Sequence, residues 1–195
     1  LTRIATAALF LLSSTSALAQ QAAPLKNDVF TRVDAMYPWL DTIYKDLHAH
    51  PEIAFQEVRT AGKLAAEMRK LGFTVTEKVG KTGIVAVLKN GAGPTVLVRT
   101  DMDGLPMEEK TGLPYASRAR ATSEGRDTFV THSCGHDIHM SSWLGAARTL
   151  VELKSQWKGT LVFIGQPAEE IVSGARAMLD DGLFKRFPKP DYAFA

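Results

Sequence analysis

The chain has 195 residues, 45% of them hydrophobic and 23% charged, with a formal net charge of +2. These are the values of an ordinary soluble globular protein with room for one sizeable core. No basic run is interleaved with aromatic residues, so the sequence gives no nucleic-acid surface, and no apolar run is long enough to span a bilayer.

The first residues read as an export signal: Arg3 as a short basic region, "IATAALFLL" as an apolar region, and "ALA" at residues 17–19 as the cleavage motif. Cleavage after Ala19 would deliver the protein to the periplasm or outside the cell. Residues 20–36 read as a polar linker, and the folded domain is expected over residues 37–195. Within it, Trp39, Leu40, Ile43, Tyr44 and Leu47 fall at helical spacing before Pro51. A second helix is expected over "EVRTAGKLAAEMRKLGF", with Gly72 just past its C-terminus. Three strand-like segments follow, "FTVTEKV", "GIVAVL" and "TVLVRT", and "KNGAG" between the last two suggests a hairpin turn. A helix over about residues 138–154, the strand "TLVFIG", a helix over about 174–181 ending at Gly182, and a closing strand "DYAFA" complete the chain. Helices and strands alternate, so the expected class is α/β, a mixed, largely parallel sheet flanked by helices. The chain stops inside that last strand, which reads as a truncated domain.

Three polar clusters follow apolar segments: "DMDGLP" after "TVLVRT", "HSCGHD" after "TFV", and "QPAEE" after "TLVFIG". In an α/β sheet the crevice at the carboxyl ends of strands binds ligands, so one shared site is expected. The only cysteine, Cys134, sits among three of the five histidines, His132, His136 and His139. An intrachain disulfide is excluded, leaving an inert thiol, a nucleophile, half of an intermolecular disulfide or a metal ligand. Cys134 and His136 offer a thiolate and an imidazole, and Glu169–Glu170 offer carboxylates, one to bind metal and one to take a proton from water. On its own the glutamate pair reads equally as a solvated helix start. Asp101 and Asp103 read as turn caps or as carboxylates that orient metal-binding histidines. His48 and His50 beside Pro51 read as a helix-end cap, with His50 within reach of a site, and His139 as packing or a substrate contact.

Six segments in order, "LHAHPEIAFQE", "LVRTDMDGLPMEEKTGLPYAS", "HSCGHDIHM", "GAARTL", "GQPAEE" and "GARAMLDDGLF", resemble the aminoacylase and hippurate hydrolase type of metallo-amidohydrolases, which includes hydrolases of indoleacetyl amino acids. The resemblance implies a two-metal site, with zinc or manganese expected and cobalt or nickel conceivable. Cys134, His136 and Glu170 fall on ligand positions, Glu169 on the general base, and Asp103 on an orienting aspartate. Asp101 replaces a histidine ligand of related branches, and its role is open, as is that of His132. The resemblance further implies a homodimer, and hydrolysis of the amide bond of N-acyl amino acids or similar small amides. The family's two remaining histidine ligands and its lid domain have no counterpart in these residues. Two alternatives follow: a cysteine hydrolase, or an inactive, metal-binding remnant.

Overall fold

The computed structural model describes residues 25–195 in full; the expected export signal, residues 1–19, lies outside them. Two compact units are distinguished, Leu1–Tyr37 and Pro38–Ala195. In the first, the residues read as a linker are helical from 25 to 36, as part of α1 (Thr2–Ala49). An Asp28–Arg32 pair at 3.0 Å, one helical turn apart, supports that conformation. Among the described residues no helix is long and apolar enough to cross a membrane.

In the second unit, the end of α1 and α2 (Val58–Lys70) form as the apolar spacing dictates. Gly72, at φ +88°, takes the left-handed conformation that closes α2. Five strands build one sheet in the order β1 (Thr74–Val79), β2 (Gly83–Asn90), β6 (Gly159–Gln166), β3 (Thr95–Asp101), β7 (Tyr192–Phe194). The first two pairings are antiparallel and the last two parallel, which gives the expected mixed α/β sheet.

The side-chain alternation of β2 and β6 sorts the core into two layers. Ile84, Ala86, Leu88, Leu161 and Phe163 face α2 and α3 (His136–Glu152), while Val85, Val162 and Ile164 pack with Met178 of α4 (Gly174–Asp180) and Leu183 of α5 (Leu183–Arg186). The sheet is therefore covered on both faces, as the apolar strands require.

Two expectations need correction. "KNGAG" is not a hairpin turn, because β6 lies between β2 and β3. A Cβ on Gly93 would meet Lys158 O at 2.6 Å, and one on Gly159 would meet Pro94 O at 2.3 Å. Those glycines serve a close approach of two backbones. The sheet's hairpin joins β1 to β2 instead, through Gly80 and Lys81, both at positive φ. The stretch before the cysteine also forms a separate two-stranded hairpin, β4 (Arg120–Ser123) and β5 (Arg126–Phe129). Glu124 and Gly125 at its turn have φ +51° and +75°. "HSCGHD" thus does not follow a strand of the main sheet; it enters at the N-terminus of α3.

Candidate metal centre

Parallel pairing of β3 with β6 sets Asp101 opposite Gln166, so the polar segments beyond both strands leave the sheet side by side. The start of α3 is tied to them. His136 Nδ1 donates to the backbone carbonyl of Asp103 at 2.8 Å. A carbonyl oxygen can only accept, so Nδ1 carries the proton and Nε2 keeps its lone pair for the centre. Asp103 is fully buried, and its two oxygens accept from the backbone N–H groups of Glu169 at 2.9 Å and Glu170 at 3.0 Å. One carboxylate thereby fixes the loop that carries both glutamates.

These ties gather the residues expected at the site. The donor atoms of Cys134, His136 and Glu170 lie within 4.8 Å of one another, and so do those of Asp101, His136 and Glu169. The His136 Nε2 atom is 3.9 Å from Glu170 Oε1, 3.7 Å from Glu169 Oε2 and 3.5 Å from Asp101 Oδ2. Glu170 Oε1 is buried with no hydrogen-bond partner. A buried carboxylate oxygen without a donor is costly unless a cation meets it, and with a thiol and an imidazole lone pair beside it the donor set fits a transition metal or zinc. Hydrogen bonding to Glu170, together with the negative charge there and at Glu169 and Asp101, raises the pKa of the Cys134 thiol.

Asp101 is the better-occupied carboxylate. Its Oδ2 pairs with Arg99 at 2.7 Å and its Oδ1 accepts from His139 Nδ1 at 2.8 Å. Arg99 also donates to Gln166 at 3.1 Å, strapping the end of β3 to the end of β6. His139 is thus held one turn along α3 from His136, partly exposed. His132 is buried with both ring nitrogens unpartnered, and burial pushes its pKa down to about 4, which keeps it neutral. His50 is 54% exposed along its side chain, bonds to Asp46 O at 2.8 Å and belongs to neither convergent group.

The sequence reading misplaced His48. Rather than capping its own helix, it bridges two carboxylates, Asp137 at 2.6 Å and Glu109 at 3.1 Å. Both ring nitrogens face acceptors, so both donate. Burial opposes the charge, but the hydrogen bonds to Glu109 and Asp137 outweigh it and raise the His48 pKa. With its folded pKa above the unfolded value of about 6.5, His48 contributes stability in full below that pH and loses it as pH rises through the folded pKa. The expected result is a urea midpoint that falls as pH climbs through that window, with a shallower fall in His48→Gln. Equal slopes in the two proteins would show that the bridge is not charged.

A cavity of about 760 Å³ is lined by His48, Glu109, Lys110 and the two residues preceding Cys134, His132 and Ser133.

Comparison with known proteins places the chain in a family. The model of peptidase family M20/M25/M40 matches residues 97–195. Hippurate hydrolase of Campylobacter jejuni is 41% identical over 155 residues, 79% of this chain and 38% of that protein. N-acetylcysteine deacetylase of Bacillus subtilis is 38% identical over 166 residues, 80% of this chain and 42% of that one. The solved structure of the Bacillus subtilis YXEP protein, described as a dinuclear metal binding peptidase from the M20 family, superposes with a TM-score of 0.69 at 37% identity, covering 78% of this chain and 41% of that chain. The chain spans about two fifths of the length of these relatives. Because the family match runs through β3, the start of α3 and the loop after β6, the segments from which the centre is built, the chain belongs to peptidase family M20/M25/M40.

Proposed function

We propose that the protein, in its complete form, hydrolyses the amide bond of N-acyl amino acids or similar small amides, using two divalent metal ions. The observation that carries this reading is the meeting of Cys134, His136 and Glu170 around a buried carboxylate oxygen that has no other partner. Relatives named for hippurate and N-acetylcysteine support the substrate class, and the dinuclear description of a structural neighbour supports the ion count. Zinc or manganese suits the mixed sulfur, nitrogen and carboxylate donors, with cobalt or nickel as usable substitutes.

Bound ions would supply the Lewis acidity that acidifies a water molecule and polarises the scissile carbonyl. The protein's own residues do the rest. Cys134, His136 and Glu170 would hold the ions. Glu169, whose side chain is 40% exposed against 16% for Glu170, reaches the open side of the cluster. There its carboxylate takes the proton of the attacking water and returns it to the leaving amine nitrogen. Asp103 holds both glutamates through their backbone amides and His136 through its own carbonyl. Asp101, already engaged by Arg99 and His139, orients His139 toward substrate rather than serving as a ligand. Export is part of the proposal, supported by the signal-like composition of residues 1–19, and so is pairing of two complete chains, supported by the family resemblance.

A cysteine nucleophile is disfavoured by the surroundings of Cys134. Reactive thiolates sit in electropositive settings, whereas this thiol faces Glu170, Glu169 and Asp101. The discriminating test is metal removal from protein expressed from its complete reading frame. Dialysis against a chelator should abolish amide hydrolysis, and added zinc or manganese should restore it. Full activity in a preparation shown by elemental analysis to be metal-free would sink the proposal.

A further inference from the structure

The loop that carries the glutamates is held from a second direction, by a residue far away in sequence. Glu57 is fully buried just before α2. Its Oε1 accepts from the backbone N–H of Phe55 at 3.0 Å and from that of Ala168 at 2.8 Å, and its Oε2 bonds to the Thr82 hydroxyl at 2.5 Å. Both amides on Oε1 belong to non-glycine residues in the left-handed region, Phe55 at φ +60° and Ala168 at φ +48°. Residues with a Cβ take that conformation only when the surroundings impose it. Ala168 is buried and immediately precedes Glu169.

The amides of residues 168, 169 and 170 are therefore all taken by two buried carboxyl groups, the first by Glu57 and the next two by Asp103. The loop is also closed from behind: a Cβ on Gly174 would lie 1.5 Å from Pro167 O, so the chain has no room to slide toward α4. A backbone turned left-handed at Ala168 decides where the next two side chains point.

We infer that Glu57 is a positioning residue for the metal centre: by holding Ala168 in its left-handed conformation it aims Glu169 and Glu170. The inference rests on the functional reading above, in which Glu170 is a ligand and Glu169 the proton carrier. Glu57 touches neither metal nor substrate and acts only through the loop backbone.

The test uses cobalt(II) as the probe, followed through its absorption with the Cys134 thiolate, alongside amide hydrolysis by protein from the complete reading frame. Glu57→Met keeps the volume and removes the acceptor. It should weaken cobalt(II) binding about 10–100-fold, the usual loss when an outer support of a metal site is removed, and should lower kcat more than it raises KM. Glu57→Gln keeps an oxygen able to accept both N–H groups and should restore affinity to within about threefold of the wild type. A residue that merely filled space would give the opposite order, with Met no worse than Gln. Adding Ala168→Gly to Glu57→Met should recover part of the loss, because glycine turns left-handed unaided. Should Glu57→Met fail to fold, Glu57→Asp decides, since it keeps the carboxyl group and draws the oxygens back from Ala168. Unchanged affinity and kcat in the folded variant overturn the inference, while weakened binding supports it. The two readings fail separately: wild-type protein that binds no cobalt(II) refutes the metal proposal, whereas normal wild-type binding with no effect at Glu57 refutes only its positioning role.

Discussion

Replacing Glu169 by glutamine is expected to lower kcat by about two to four orders of magnitude, the range of a positioned general base, while leaving the metal content unchanged. The substitution is nearly isosteric and falls on a side chain with considerable exposure, so stability should hardly move. The backbone N–H of residue 169 stays on Asp103 whichever side chain it carries. What disappears is the carboxylate proposed to accept the proton, since an amide oxygen is far too weak a base. The measurement is kcat and metal stoichiometry on the same preparation. Activity near that of the wild type would remove Glu169 as base. Loss of metal along with activity would move it into the ligand set with Asp101 and His136, the other group whose donor atoms converge.

Asp103→Asn should have the largest effect on the folded state. Asp103 is fully buried and takes two consecutive amides, one on each oxygen. Asparagine can accept only one of them, and its NH2 group then faces the other backbone N–H, donor against donor. A hydrogen bond to a charged acceptor contributes about 1.5–3 kcal/mol, and a buried donor left without a partner costs about 1–3 kcal/mol. The unfolding free energy should therefore fall by roughly 2–4 kcal/mol, read as a lower urea midpoint with an unchanged m-value. Metal affinity should fall about 10–100-fold alongside it, because the same carboxylate holds the backbone of Glu169 and Glu170. Wild-type stability in Asp103→Asn would mean that the two amides find another acceptor and that the loop is held elsewhere.

Much of this was visible in the residue order, for identifiable reasons. Helix ends are marked locally: Pro51 and Gly72 stop their helices at the places their chemistry dictates. The residues that converge were visible too, since a lone cysteine two residues before a histidine, and a glutamate pair after a buried strand, are unusual company. The sheet order was not legible. "KNGAG" has the composition of a hairpin turn, but whether two strands pair depends on what else can lie between them, and β6 comes from almost seventy residues further along. The β4–β5 hairpin is hard to read from residues because its strands are four residues each and none of those residues is buried, leaving little apolar alternation.

The supports of the centre were hidden for a related reason. Glu57, Asp103 and His48 act on groups 111, 66 and 89 residues away. For Glu57 and Asp103 the partners are backbone amides, which every residue except proline possesses, so no side-chain pattern announces them. An isolated glutamate before a helix reads as a favourable charge at a helix start; only the fold shows that it reaches across to Ala168.

The position of β6 also bears on how the protein is made. Its two neighbours in the sheet, β2 and β3, leave the ribosome well before it does, because β6 begins at Gly159 while β3 ends at Asp101. At ordinary elongation rates that gap lasts roughly three to twelve seconds. Throughout it the nascent chain carries two strands with open edges, each rich in valine and leucine and able to pair wrongly with each other or with a neighbouring polypeptide. Synthesis of this protein therefore passes through a vulnerable interval that closes only when the central strand arrives, and cellular holding factors would have most to do there.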